Sequence, residues 1–166
     1  MGSRDPLIDL STIDFEQVIA DIDEIRKYNP QRHEMEQLSA IVHADCDAGV
    51  CVGYRDLAED EFWVRGHFPS LPVMPGMIMC EAAAQLCSFF TQKNDLLGAK
   101  VLGLGGIEGV RFFEPVRPGE RFVVIVRQTK MRRGAVIVFN FQGWVNDRLV
   151  VSGVIKAIPL PVDEIG

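Results

Sequence analysis

The apolar and polar positions along this chain divide it into segments. Between Asp14 and Lys27, the residues Phe15, Val18, Ile19, Ile22 and Ile25 recur at spacings of three and four, which places them on one face of a helix. Asn29–Pro30 ends that helix. Residues 38–46 and 50–57 flank Asp47–Ala48–Gly49, a turn-like spacer, and read as a hairpin. Phe62–Trp63–Val64 is a short strand candidate. Residues 66–75 hold three prolines, Pro69, Pro72 and Pro75, which fix φ and stiffen a loop. From Gly76 to Lys93 a helix is predicted, about 26 Å long at about 1.5 Å per residue. It is apolar nearly all round, so it should be buried.

Strand patterns follow one another after the helix. They cover Lys100–Phe113, Phe122–Thr129, Ala135–Val145 and Leu149–Ile158. Gly103, Gly105, Gly106 and Gly109 in the first of them suggest bends or bulges. The turns Pro115–Gly119, Arg132–Gly134 and Asn146–Arg148 are short, which implies antiparallel neighbours. One buried helix with about six antiparallel strands is an α+β layout. The natural packing is a curved sheet wrapped around a long central helix. Residues 1–12 read as a loose leader. Residues 1–19 make up that leader and the start of the first helix, and 20–166 form a single domain. No internal repeat or low-complexity tract is visible.

Composition narrows the function classes. The 166 residues fit one domain, and 48% hydrophobic with 24% charged residues is ordinary for a soluble globular protein. No apolar run reaches the roughly 18 residues needed to span a bilayer. Met1–Gly2–Ser3–Arg4–Asp5–Pro6 lacks the pattern of a signal peptide, and Pro6 does not suit myristoylation of Gly2. A cytoplasmic protein is expected. A net charge of −6 argues against nucleic acid as a general partner. Local basic groups remain, namely Arg127, Lys130, Arg132 and Arg133, with Arg111, Arg117 and Arg121 besides. Cys46, Cys51, Cys80 and Cys87 show no metal spacing and read as reduced thiols. His33, His43 and His67 have no ligand spacing, so neither a metal nor a cofactor is expected. Gly103–x–Gly105–Gly106 lacks the Lys–Ser/Thr ending of a phosphate loop.

Chemistry concentrates in one stretch. Glu81 is the lone carboxylate of the apolar helix run Pro75–Phe90. A carboxylate buried there loses its water, which raises its pKa and suits it to a general acid. His67 lies fourteen residues earlier, in Gly66–His67–Phe68–Pro69, and is a candidate base. Taken alone, each has a plainer reading: a structural His before Phe–Pro, or a Glu paired with a buried Arg.

The run Gly66–His67–Phe68–Pro69–Ser70–Leu71–Pro72–Val73–Met74–Pro75–Gly76, followed by Glu81–Ala82–Ala83–Ala84–Gln85, resembles the active-site stretch of the 3-hydroxyacyl-acyl-carrier-protein dehydratases of type II fatty-acid synthesis. Val110–Arg111–Phe112–Phe113–Glu114–Pro115–Val116–Arg117–Pro118–Gly119–Glu120 also looks like a strand and turn of that family. The resemblance spans about residues 22–158 and implies the hotdog fold. It implies that His67 is the catalytic His and Glu81 the catalytic acid. It implies that the Gly76 N–H faces the thioester carbonyl, that the Val73 carbonyl orients the His ring, and that Gln85 is a polar helix position near the acid. Met77, Ile78 and Phe89 would line the acyl tunnel. It implies an acyl carrier protein as partner and a homodimer, alone or in a trimer of dimers, with His and Glu drawn from different subunits.

Ser70 stands where the family usually has Gly. Asn29–Met35 replaces a Pro–His–Arg–Tyr–Pro–Phe-like stretch, and Ser152–Gly153–Val154 replaces an acidic–Ala–acidic element. The leading expectation is a lyase that dehydrates 3-hydroxyacyl thioesters. Two alternatives are a thioesterase on the same fold and a non-catalytic acyl-binding or scaffolding subunit.

Overall fold

A computed structural model describes residues 4–162. Its regular elements are α1 (Ile22–Arg26), β1 (Ala40–Asp45), β2 (Val50–Asp56), α2 (Gly76–Lys93), β3 (Leu102–Phe112), β4 (Arg121–Arg132), β5 (Val136–Val145) and β6 (Arg148–Pro159). The six strands form one sheet in the order β1-β2-β4-β5-β6-β3, and every pairing is antiparallel. The sheet curls around α2, which is the hotdog arrangement and the expected α+β class.

Period-two alternation builds the core. On β5, Ile137, Phe139 and Phe141 turn inward, where Phe90 meets Phe139 edge to face at 6.0 Å between ring centroids. From α2, Met79, Cys80, Ala82, Ala83, Leu86, Cys87, Phe89 and Phe90 join the same core. Burying each large apolar side chain there contributes roughly 1.5–3 kcal/mol.

The long helix is not buried all round. The sheet covers one side only, so Met77 is 65% exposed, and Ile78, Glu81, Ala84 and Ser88 are half-buried along a stripe at helical spacing.

The first helix is much shorter than its apolar period predicts. Ile19 and Ala20 donate N–H to the Ile41 carbonyl at 2.9 and 3.3 Å, and Ile41 returns a bond to the Ala20 carbonyl at 2.8 Å. That bridge to β1 takes the backbone at 19–20 away from helix formation. The helix begins only after Asp21, whose carboxylate accepts from the Glu24 N–H at 2.9 Å.

Nor is the leader loose. Leu7, Ile8, Leu10, Ile13 and Phe15 pack on a second apolar cluster, on the outer face of the sheet, with Val42, Val52, Tyr54, Val123, Ile125 and Trp144. The buried amide of Gln142 fixes the leader: its Oε1 accepts from the Leu7 N–H at 2.8 Å and its Nε2 donates to the Asp5 carbonyl at 3.0 Å. Residues 62–64 are a turn instead of a strand. The Trp63 carbonyl accepts from the N–H groups of Gly66 and His67, so these groups close on one another and not on a neighbouring strand.

Candidate active site

The loop before α2 holds its histidine by four fixed contacts. The His67 N–H donates to the Trp63 carbonyl at 2.8 Å, and the His67 carbonyl accepts from the Val73 N–H at 2.9 Å. Phe68 and Leu71 exchange bonds across the loop at 3.0 Å each way. His67 Nδ1 lies 2.8 Å from the Val73 carbonyl oxygen, and the Phe68 ring stacks on the imidazole at 4.2 Å. A carbonyl only accepts, so the neutral ring carries its hydrogen on Nδ1 and keeps a lone pair on Nε2. The Val73 carbonyl therefore fixes the orientation of the His67 ring.

The same loop sets the start of α2. The Met74 N–H donates to the Val116 carbonyl at 2.7 Å, which pins the loop to the segment after β3. Pro75 precedes the first helical residue, Gly76. The Gly76 N–H is one of the helix's unsatisfied donors and has no acceptor among the described residues, so the positive end of the helix dipole faces outward there. A Cβ on Gly76 would come within 2.7 Å of the Phe112 ring, so this position tolerates only glycine without movement. In front of it lies a cavity of about 460 Å³, lined by Val73, Gly76, Met77, Phe112 and Phe113 among others.

Glu81 lies one and a half turns on, about 7.5 Å along the helix axis. It is half-buried on the open stripe, not buried as the apolar run suggested. No arginine or lysine pairs with it among the described residues. Its partner is Gln85, whose Nε2 donates to Glu81 Oε1 at 2.8 Å. Gln85 is 2% exposed and is itself clamped. Its Oε1 accepts from the Gln37 N–H at 2.9 Å, its Nε2 donates to the Met35 carbonyl at 2.5 Å, and its backbone carbonyl accepts from Asn29 Nδ2 at 2.9 Å. The segment 29–37 thus aims Gln85 at Glu81.

The structure brings Val73, Gly76 and Met77 together around the cavity at the start of α2, and His67 is tied to that group through the Val73 carbonyl. Within one chain, no hydrogen bond or ion pair joins His67 to Glu81. Ile78 is half-buried beside the core. Phe89 is fully buried, with its ring edge-to-face on Tyr28 at 5.5 Å, and lines none of the cavity at Gly76. Three of the thiols are poor nucleophiles: burial pushes the Cys51, Cys80 and Cys87 pKa values up. Sequence reasoning missed Asn29, Gln37 and the Met35 carbonyl as supports for Gln85. Two of these act through the backbone, and no spacing rule signals such contacts.

Comparison with known proteins gives this geometry a family. The model of the FabA-like domain matches residues 29–154. The 3-hydroxyacyl-[acyl-carrier-protein] dehydratase FabZ of Desulfotalea psychrophila is 34% identical over 131 residues, covering 77% of this chain and 85% of the relative. The enzyme of the same name from Alkalilimnicola ehrlichii is 31% identical over 141 residues, covering 83% and 90%. Among solved structures, the dehydratase heterocomplex ApeI:P from Xenorhabdus doucetiae superposes with a TM-score of 0.65 at 14% identity, over 82% of this chain and 90% of that one. The Escherichia coli PaaI protein from the phenylacetic acid degradation operon gives 0.56 at 13% identity, over 71% and 80%. These two likenesses establish the hotdog fold, and the family model and the FabZ relatives establish more: the chain belongs to the FabA-like family.

Proposed function

We propose that this protein is a 3-hydroxyacyl-acyl-carrier-protein dehydratase, acting in the cytoplasm as a homodimer without a cofactor. The observation that carries the reading is the bond from His67 Nδ1 to the Val73 carbonyl, beside an unpartnered Gly76 N–H. It supports a base with a free Nε2 lone pair next to a ready oxyanion donor.

Each residue then has one task. A thioester acidifies the hydrogen on C2, and His67 Nε2 removes it. The charge that develops on the thioester oxygen is met by the Gly76 N–H and the helix dipole. Glu81, held by Gln85, gives its proton to the C3 hydroxyl, which leaves as water. The C2–H electrons become the new double bond. The imidazolium and the carboxylate are left, and passing one proton from the first to the second resets the site. Met77 and Ile78 offer the acyl chain an apolar wall along the open stripe.

No hydrogen bond or ion pair joins His67 to Glu81 within one chain, and the stripe that carries Glu81 is left half open by the sheet. Phe68, Leu71 and Phe112, at 51%, 55% and 50% exposed, add apolar surface around it. Exposed apolar surface of this kind marks an interface. A second copy across that surface would set the partner subunit's Glu81 opposite His67.

The test is turnover of 3-hydroxyacyl carriers, followed by the absorbance of the conjugated enoyl thioester. His67→Ala and Glu81→Gln should each lower kcat by about a hundredfold to ten-thousandfold. Release of free thiol in place of enoyl product would refute the dehydratase reading in favour of hydrolysis. Binding without turnover, unaffected by either change, would refute it in favour of a scaffold.

A further inference from the structure

We propose that the outer face of the sheet carries a second binding site, for a small amphipathic anion, between the amino-terminal segment and strands β3, β5 and β6. A cavity of about 720 Å³ lies there, larger than the one of about 460 Å³ at Gly76. That volume falls within the roughly 300–1,000 Å³ of small-molecule sites.

Two local features hollow it out. The first is a bulge. The β3–β6 register shifts between Glu108 and Arg111, and Gly109 within it has φ of 58°, a left-handed conformation that suits glycine. The bulge re-aims Arg111 toward the outer face. The second is the amino-terminal segment. Gln142 holds Asp5 and Leu7 by two bonds, and this fixes a wall above the sheet.

The polar groups inside are underused. Register pairs Gln142 with Ser152 and Ser152 with Arg111, one row across three strands. Gln142 is spent on Leu7, Asp5 and Trp144. The side chains of Arg111, Ser152 and Asn140 bond no other group among the described residues. Arg4 enters from the opposite wall, its guanidinium 5.9 Å from the Phe113 ring centroid. Two guanidiniums against the single carboxylate of Asp5 leave the lining net positive, and guanidinium with hydroxyl and amide donors matches a carboxylate or phosphate head. Leu7, Phe113 and Val154 supply apolar wall for a short tail. The departure at Ser152–Gly153–Val154 forms part of the cavity floor.

The site owes nothing to the dehydratase reading, and its test separates the two. Equilibrium dialysis of the full-length protein would use decanoate, decyl phosphate and, as a neutral arm, decanol. Saturable binding of an anion is expected, with decanol weaker. Arg111→Gln should weaken the anion about tenfold, as for one lost bond to a charged group. Ser152→Phe, which fills the cavity, should abolish this binding. Arg111 is exposed, so its variant keeps the test valid if Ser152→Phe unfolds. Tighter decyl phosphate would identify a phosphate-headed ligand, and tighter decanoate an acyl carboxylate; either supports the site. Equal anion binding by wild type and Arg111→Gln would put the probe in the acyl tunnel and overturn the proposal. So would decanol bound as tightly as decanoate, or no saturable binding at all.

Discussion

Gln85→Met is the substitution that tests how the acid is held. Methionine keeps the length of the side chain and removes all of its amide contacts. Three groups lose a partner: Glu81 Oε1, the Met35 carbonyl and the Gln37 N–H. Their costs differ. Met35 is exposed and Glu81 half-buried, so water can replace the lost bonds there. Gln37 is 0% exposed, and its N–H would be left unsatisfied at a cost of about 1–3 kcal/mol. In a protein of this size each kcal/mol lowers Tm by roughly 2–4 °C. Tm should therefore fall by about 2–12 °C, a loss the fold can survive. Activity should suffer more. A carboxyl freed to leave its position by about 1 Å can cost about a hundredfold in rate. The assay is kcat and KM on a 3-hydroxyacyl carrier, with urea unfolding in parallel. The loss is expected in kcat, because the substrate gains or loses no contact. Gln37→Ala is the control, since it removes a side chain but keeps the N–H that Gln85 uses; its activity should match wild type. Combining Gln85→Met with Glu81→Gln should add little to the loss from Glu81→Gln alone, because the two act as a unit. A folded Gln85→Met protein with undiminished kcat would refute the positioning role.

Three further outcomes follow from the same geometry. Gly76→Ala drives a Cβ to within 2.7 Å of the Phe112 ring, so stability should drop by about 1–3 kcal/mol in urea unfolding, and Phe112→Ala in the same chain should recover most of it. A thiol reagent near neutral pH should label Cys46, which is exposed, while Cys51 and Cys87 stay unmodified until the protein unfolds, because burial holds their pKa values high. Unfolding His67→Ala and Glu81→Gln together and refolding them as a mixture should restore roughly a quarter of wild-type turnover, since half of randomly mixed dimers hold one intact pair of His and Glu; no recovery would place both groups in one chain.

The helix α2 was legible to the residue, from Gly76 to Lys93, because a stiff proline loop precedes it and its apolar content admits no other period. The hairpin and the later strands were legible too, with boundaries off by a few residues. The β4 strand runs on to Arg132 because a register shift at Gln128 and Lys130 lets pairing continue past the expected end. The first helix failed for a physical reason. Phe15, Val18, Ile19 and Ile22 do recur at helical spacing, but Ile41 recruits the backbone at 19–20, and a period cannot reveal a contact twenty residues away. The leader failed similarly: its apolar residues were visible, but the outer sheet patch that they cover exists only once the sheet has folded. At the site, the order of His, Gly and Glu along the chain was legible. What was not legible is that Glu81 stays half open, since the burial of a helix residue depends on how far the sheet wraps.

That partial wrapping shapes the chemistry. A sheet closed fully around α2 would bury Glu81 permanently and leave no path for an acyl chain. A sheet that stops short leaves Met77 exposed and Ile78 and Glu81 half-buried along one stripe, open to a substrate or a second copy. The proposed base His67 and the proposed oxyanion donor, the Gly76 N–H, are held within one chain by Val73 and by a loop pinned by Val116. The proposed acid, Glu81, is held separately, through Gln85 and the segment 29–37. Each half has its own hydrogen bonds, and none joins His67 to Glu81 within the chain. On the proposed reading, this arrangement ties proton transfer to association: one chain holds every group the reaction needs, and a second copy brings base and acid to the same substrate.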